Sequence, residues 1–137
     1  MSRRRVLVVD DEPRILDIVK YFLEQGGYEV IAHTSGPAAL DAAKIRPFDV
    51  AVLDIVLGRS SGYDVAGRLK KVAGSEETPV LFMSSKVEMA DLFLENCDGR
   101  AEFIRKPFRK DELLGQVALL AGGGGRTARN VKRAKRS

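Results

Sequence analysis

Apolar residues run without a break through Val6-Leu7-Val8-Val9 and stop at Asp10. A short run with no alternation is the signature of a strand buried on both faces, and such strands belong to parallel sheets. From Pro13 the pattern changes to helical spacing: Ile15, Leu16, Ile18, Val19, Phe22 and Leu23 recur until Gly26-Gly27, and proline suits a first helical turn. These segments predict β1 (6–9) and α1 (13–25). The alternation then repeats along the chain. Tyr28 to Ala32 predicts β2, and Ser35 as a cap with Pro37 in the first turn predicts α2, running to Ile45 before Pro47. Val50 to Leu53 predicts β3, again ending at an aspartate, Asp54. Tyr63, Val65, Leu69 and Val72 predict α3, and Val80 to Met83 predicts β4. Residues 86–96 predict α4, although Val87, Leu92, Phe93 and Leu94 would also suit a strand. Phe103-Ile104 lies in β5, and Leu113, Leu114, Val117 and Leu120 predict α5.

Strands alternating with helices of this length imply an α/β fold, (βα)5, with a parallel sheet covered on both faces. Right-handed crossovers leave few arrangements, and the doubly wound order 2-1-3-4-5 is the common one. In that order β1 and β3 are neighbours, and the ligand crevice lies at their carboxyl ends. The residues there are Asp10, Asp11 and Asp54.

At 137 residues the chain fits one compact domain. No apolar run approaches the length of a membrane span, and the stretch after Arg3-Arg4-Arg5 is too short for a signal-peptide core, so a cytoplasmic protein without membrane contact is expected. One cysteine, Cys97, makes no internal disulfide and is read as a packed or half-buried thiol; with the single His33 it gives no zinc-type set. The formal net charge of +4 divides unevenly. Residues 1–121 carry 17 Lys/Arg against 19 Asp/Glu, whereas 122–137 carry six basic residues and no acid. The body is therefore no basic nucleic-acid module. Four glycines, Gly122 to Gly125, precede the basic residues, so a domain boundary is placed near Ala121 with a solvated, disordered tail beyond it. Contact with nucleic acid is expected, if anywhere, only through that tail.

Three carboxylates at one crevice repel unless a cation sits among them, and a hard divalent ion, Mg²⁺ or alternatively Mn²⁺, matches their oxygen ligands. A carboxylate can act as a nucleophile toward phosphorus, with cations stabilising the transferring oxygens. Ser84 after β4 and Lys106 after β5 add a hydroxyl and an ammonium at adjacent strand ends, completing a candidate phosphoryl-transfer site. Each residue alone has a plainer reading: Asp10-Asp11 as a helix cap, Asp54 as a turn residue, Ser84 as a strand-end hydroxyl, Lys106-Pro107 as loop and Phe103 as core.

The segments Val-Leu-Val-Val-Asp-Asp-Glu-Pro (6–13), Asp-Val-Ala-Val-Leu-Asp (49–54), Gly62, Pro-Val-Leu-Phe-Met-Ser-Ser (79–85), Gly99 and Phe-Ile-Arg-Lys-Pro-Phe (103–108) together resemble the response-regulator receiver family, over residues 4 to about 120. That resemblance implies a flavodoxin-like three-layer sandwich and a phosphorelay function, with Asp54 as phosphoacceptor. It implies Asp11 as a direct Mg²⁺ ligand, Asp10 as a water-mediated one, and the Val56 backbone carbonyl as a further ligand. Ser84 and Lys106 would contact the phosphoryl group, Pro107 would follow a cis bond, and Phe103 would be the aromatic switch residue. The implied partners are a sensor histidine kinase or phosphotransfer protein and a downstream protein bound at the α4-β5-α5 face, with the chain a monomer or a dimer through that face. Such a domain is no enzyme beyond catalysing its own phosphorylation and dephosphorylation.

The chain also departs from the family pattern. Gly58 replaces the usual proline, so a more mobile loop is expected after Asp54. Phe103 lacks the hydroxyl of the commoner tyrosine, so a switch there works by packing. Val56 and Lys86 stand where the family tunes the lifetime of the acyl phosphate, and an apolar Val56 cannot orient attacking water. Slow hydrolysis is expected. The competing readings are a phosphorylation-independent pseudo-receiver, disfavoured by the retained Asp10, Asp11, Asp54, Ser84 and Lys106, and a haloacid-dehalogenase-type phosphatase, disfavoured because Asp10-Asp11-Glu12 lacks its spacing of two aspartates.

Overall fold

The structure, a computed structural model, describes residues 3–86 and 99–127. The continuous apolar runs form the central parallel strands, β1 (Arg5–Val9), β3 (Val50–Asp54) and β4 (Val80–Ser84), with β2 (Glu29–His33) and β5 (Ala101–Arg105) at the edges. They make one sheet in the order β2-β1-β3-β4-β5, so the expected doubly wound topology is the observed one. In-register pairs such as Val8↔Val52 and Leu53↔Phe82 set the strand ends side by side. That alignment places Asp10 and Asp54 next to each other.

Because successive residues of a strand face opposite ways, a strand without polar positions must be covered twice. Leu7, Val9, Leu53 and Phe82 pack on Ala39 and Ala43 of α2 (Gly36–Ile45) and on Val65 and Leu69 of α3 (Gly62–Leu69). Val6, Val8, Val52 and Met83 pack on Leu16, Val19 and Leu23 of α1 (Pro13–Gln25) and on Leu113, Val117 and Leu120 of α5 (Lys110–Ala121). Each large buried side chain contributes about 1.5–3 kcal/mol, against about 1 kcal/mol or less for an exposed ion pair such as Arg68–Asp64. The two apolar layers therefore hold the sheet.

Several local expectations shift. Helix α3 stops at Leu69, and Val72 lies in the turn that follows, its N–H bonded to the Leu69 carbonyl at 3.0 Å. Strand β5 begins two residues before Phe103, where Ala101 and Glu102 carry no β-branched signal but pair in register with Val80 and Leu81. The segment read as α4, with Cys97 just after it, falls almost wholly outside the described residues. The glycine run does not leave the fold at Ala121. Gly122, Gly123 and Gly124 donate to the last carbonyls of α5, and Arg126 pairs antiparallel with Ala101 through backbone bonds of 2.8 and 3.1 Å. Arg126 also meets Glu102 at 2.9 Å, while Arg100 donates to the Leu120 and Gly124 carbonyls. Helix-end carbonyls and a sheet edge both need donors, and this return supplies them. Residues 128–137 lie outside the described part.

The loop after Asp54 is a small hairpin: Val56-Leu57 pairs with Ser60-Ser61 across the two-residue turn Gly58-Arg59. Gly58 has φ +60°, and among the described residues no non-glycine residue has a positive φ. That is the pattern of a II′-type turn, which calls for glycine at its first central position. The glycine, expected to loosen the loop, makes a tight hairpin there, a conformation closed to proline.

Candidate functional site

Strand β1 ends at Val9, so Asp10 and Asp11 stand at its mouth, and Asp54 is the last residue of the neighbouring β3. Asp10, Asp11 and Asp54 each offer a carboxylate oxygen, all within 4.8 Å of one another. Asp10 is fully buried, at 0% exposure, Asp54 is buried and Asp11 is exposed, so the cluster opens to solvent on one side. Lys106, directly beyond β5, reaches across the sheet: its Nζ donates to Asp10 Oδ2 at 2.9 Å and to Asp54 Oδ2. Its own backbone N–H is held by the Ser84 carbonyl at 2.8 Å, and the Lys106–Pro107 bond is cis. Two of the carboxylates are further fixed by local backbone. Asp10 Oδ1 accepts from the Glu12 N–H at 2.9 Å, and Asp54 Oδ1 accepts from the Val56 N–H at 2.8 Å.

Burial is the largest influence on the Asp10 carboxyl and raises its pKa; the Asp54 charge adds to this, while Lys106 and the Glu12 N–H oppose it. Burial pulls the Lys106 ammonium down, but its hydrogen bonds to Asp54 and Asp10 and their charges more than offset this, and its pKa is raised. A folded-state pKa above the unfolded one means that Asp10 keeps its proton longer in the native protein. Stability from this group therefore falls as pH climbs from the ordinary value of 3.8 through the raised one. Lys106 contributes stability below its ordinary 10.5, and this is lost only as pH passes its raised value. Asp10→Asn is thus expected to remove this group's share of the fall in metal-free stability that begins above pH 3.8. The stability difference between variant and wild type should therefore change with pH over that range, as measured by urea unfolding across pH; a difference that does not vary with pH would contradict this.

The Gly62 N–H donates to the Ile55 carbonyl at 2.9 Å, which makes 55 and 62 a hydrogen-bonded pair of the hairpin. Pairs alternate in an antiparallel ladder, so Val56 and Ser61 form a non-hydrogen-bonded pair. The Val56 carbonyl is therefore directed away from the partner strand, while its side chain is 66% exposed. Gly62 is tightly confined: a Cβ there would lie 2.1 Å from the Asp54 carbonyl oxygen. Ser84 closes a turn on its own loop, accepting from the Lys86 N–H and donating to the Lys86 carbonyl, both at 3.0 Å. Phe103 is half-buried with its ring 5.3 Å from that of Phe82. Asp10, Asp11, Asp54 and Lys106 are thus gathered at one mouth, Val56 lies at its edge, and the Ser84 hydroxyl is engaged by its own turn. The hairpin and Arg59 at its tip went unnoticed in the sequence; Gly58-Arg59 between two short apolar and polar pairs was the available signal.

An all-oxygen donor set, partly open and beside a fixed ammonium, suits a hard divalent cation and a phosphate oxygen together. Comparison with known proteins gives a consistent picture. The pattern of the response regulator receiver domain matches residues 6–118. The transcriptional regulatory protein KdpE of Mycobacterium tuberculosis is 38% identical over 112 residues, covering 82% of this chain and 48% of that protein. The alkaline phosphatase synthesis transcriptional regulatory protein PhoP of Bacillus subtilis is 33% identical over 117 residues, covering 85% and 48%. The chain thus spans about half the length of the curated relatives it matches. Among solved structures, the receiver domain of NtrX from Brucella abortus is 31% identical with a TM-score of 0.78, covering 87% of this chain and 99% of that one. The receiver domain of sensor histidine kinase PA1611 from Pseudomonas aeruginosa, with magnesium coordinated in its active site cleft, has a TM-score of 0.79 at 20% identity, covering 89% and 100%, a likeness of fold.

Proposed function

The chain belongs to the response regulator receiver family of two-component signalling domains, and from that premise we propose that it is a phosphorylation switch whose acceptor is Asp54. Domains of this family interact with histidine kinases and downstream effectors and are signalling modules, not general enzymes. The observation that carries the reading is the meeting of Lys106 with Asp10 and Asp54 beside Asp11. A structural ion pair needs one carboxylate; three around one ammonium leave an excess of negative charge that a divalent cation and a phosphoryl group would use.

Asp11, Asp54 and the Val56 carbonyl would hold Mg²⁺, or Mn²⁺, directly, with Asp10 acting through water. The ion would supply charge neutralisation at the phosphoryl oxygens. In the transfer, an Asp54 carboxylate oxygen attacks phosphorus in line, the bond from phosphorus to the donor breaks, and the donor leaves with that electron pair. Lys106 balances charge on the transferring oxygens. Ser84 is proposed to give up its turn with Lys86 and to donate to the new phosphoryl group, with Phe103 repacking against Phe82. The readout is assigned to the α4-β5-α5 face, and the phosphodonor is a histidine kinase or phosphotransfer protein.

A small acyl phosphate with Mg²⁺ is expected to add about 80 Da to the intact chain, and Asp54→Asn is expected to add nothing. An equal mass gain in the variant would move the acceptor elsewhere; no gain in the wild type would leave a phosphorylation-independent interaction module. Val56 bears on lifetime: exposed and apolar beside Asp54, it gives water no hydrogen-bond partner. Val56→Asn is expected to speed loss of the phosphoryl group several-fold, roughly 1 kcal/mol of barrier. Equal decay rates after donor removal would refute this.

A further inference from the structure

We propose that Arg59 is a positioning residue for the phosphodonor: carried on the tip of the 56–61 hairpin, its guanidinium binds the phosphoryl oxygens of the incoming group. This rests on Asp54 being the phosphoacceptor. Hairpin register, an acidic neighbour and the chemistry of the side chain support it together. The register Leu57↔Ser60 makes Gly58 and Arg59 the two turn residues, and the positive φ of Gly58 turns the chain sharply there. The Gly58 Cβ direction ends 4.0 Å from Asp11 Oδ2, so the hairpin tip lies against the open side of the carboxylate cluster. The next Cα is only ~3.8 Å on, well within the length of an arginine side chain. Arg59 is exposed, and among the described residues no ion pair or hydrogen bond holds it, whereas Arg68, one helix on, is paired with Asp64.

Electrostatics gives that placement a use. Three carboxylates against one ammonium leave the mouth negative, a divalent cation among them would bring it only to neutral, and a phosphodonor is itself an anion. A permanently charged, planar guanidinium at the rim matches two phosphoryl oxygens at once and adds the net attraction that the mouth lacks. With acetyl phosphate, an Asp54 oxygen bonds to phosphorus, the phosphorus–oxygen bond to acetate breaks, and acetate leaves with the electron pair, so charge is conserved. With phosphoramidate the phosphorus–nitrogen bond breaks and ammonia leaves from a nitrogen already protonated. The phosphoryl group is common to both donors, and it is the part assigned to Arg59.

Phosphorylation of the full chain with Mg²⁺ would be followed by intact mass as each donor is varied, for wild type, Arg59→Ala, Arg59→Lys and Arg59→Glu. Arg59→Ala is expected to raise the donor concentration giving half-maximal rate about tenfold, the scale of one charge-assisted hydrogen bond, with the limiting rate little changed. Lysine should restore part of the loss and glutamate deepen it. The differences should shrink at high salt, while decay after donor removal and the urea midpoint stay as in wild type. Wild-type donor dependence in Arg59→Ala, a salt-independent defect, a shifted urea midpoint, or a defect with acetyl phosphate alone would each overturn the assignment. A wild type that takes up no phosphoryl group from either donor would overturn the phosphoacceptor reading and this inference with it.

Discussion

Lys106→Met is expected to lower the stability of the metal-free protein by about 3 kcal/mol and to slow phosphorylation of Asp54 by about 10²-fold or more. Lys106 holds Asp10 and Asp54 together, and both carboxylates are buried or nearly so. Removing one partner of a buried ion pair leaves charge without compensation, which costs about 3–5 kcal/mol. The lower end applies because the mouth is open on the Asp11 side. Methionine keeps most of the stem, so the loss reports the ammonium. Stability of the variant should rise as pH falls, because protonating either aspartate removes their repulsion, and a divalent cation should restore much of it at neutral pH. Urea unfolding with and without Mg²⁺, beside a time course of mass gain, checks both parts. A variant as stable and as reactive as wild type would mean that the ammonium is incidental.

Gly62→Ala should be equally severe for a different reason. An added Cβ would lie 2.1 Å from the Asp54 carbonyl oxygen, 2.9 Å from its carbonyl carbon and 3.2 Å from the Leu53 Cβ. The first two belong to the backbone of the residue that carries the proposed acceptor carboxylate, so relief requires moving the site itself. Overpacking of this kind costs about 1–3 kcal/mol, and a displacement near 1 Å is worth about 10²-fold in rate. Gly67→Ala is the matched control, since nothing lies within 4 Å of the new methyl in the same helix. It should stabilise the protein by about 0.5–1 kcal/mol and leave phosphorylation unchanged. Similar behaviour of the two variants would show that the crowding at Gly62 is not what matters.

The layers of the fold were legible wherever burial on both faces removes polar residues from a strand, as at Val6–Val9 and Val50–Leu53. Helix α1 was legible from one apolar stripe bounded by Pro13 and Gly26. Elements whose stability comes from tertiary pairing were not. The two-residue strands of the hairpin carry no periodicity, and Ala101-Glu102 joins β5 only because Val80 and Leu81 offer the ladder. The return of Arg126 to Ala101 depends on a sheet edge that lies 25 residues away. In the site, Asp10, Asp11 and Asp54 could be placed from strand ends and from the family resemblance. The sharing of Lys106 between two aspartates, the engagement of Ser84 with Lys86 and the direction of the Val56 carbonyl depend on backbone geometry that residue types do not encode.

The most direct test of the proposed site is a crystal structure with Mg²⁺ and trifluoroberyllate, a tetrahedral mimic of a phosphoryl group. The expected result is the mimic bonded to an Asp54 carboxylate oxygen, the cation on Asp11, Asp54 and the Val56 carbonyl, and Lys106 and the Ser84 hydroxyl on the fluorines, with the Ser84–Lys86 turn opened. A mimic bound away from Asp54, or a mouth still closed by Lys106 with no cation among the three aspartates, would contradict the account.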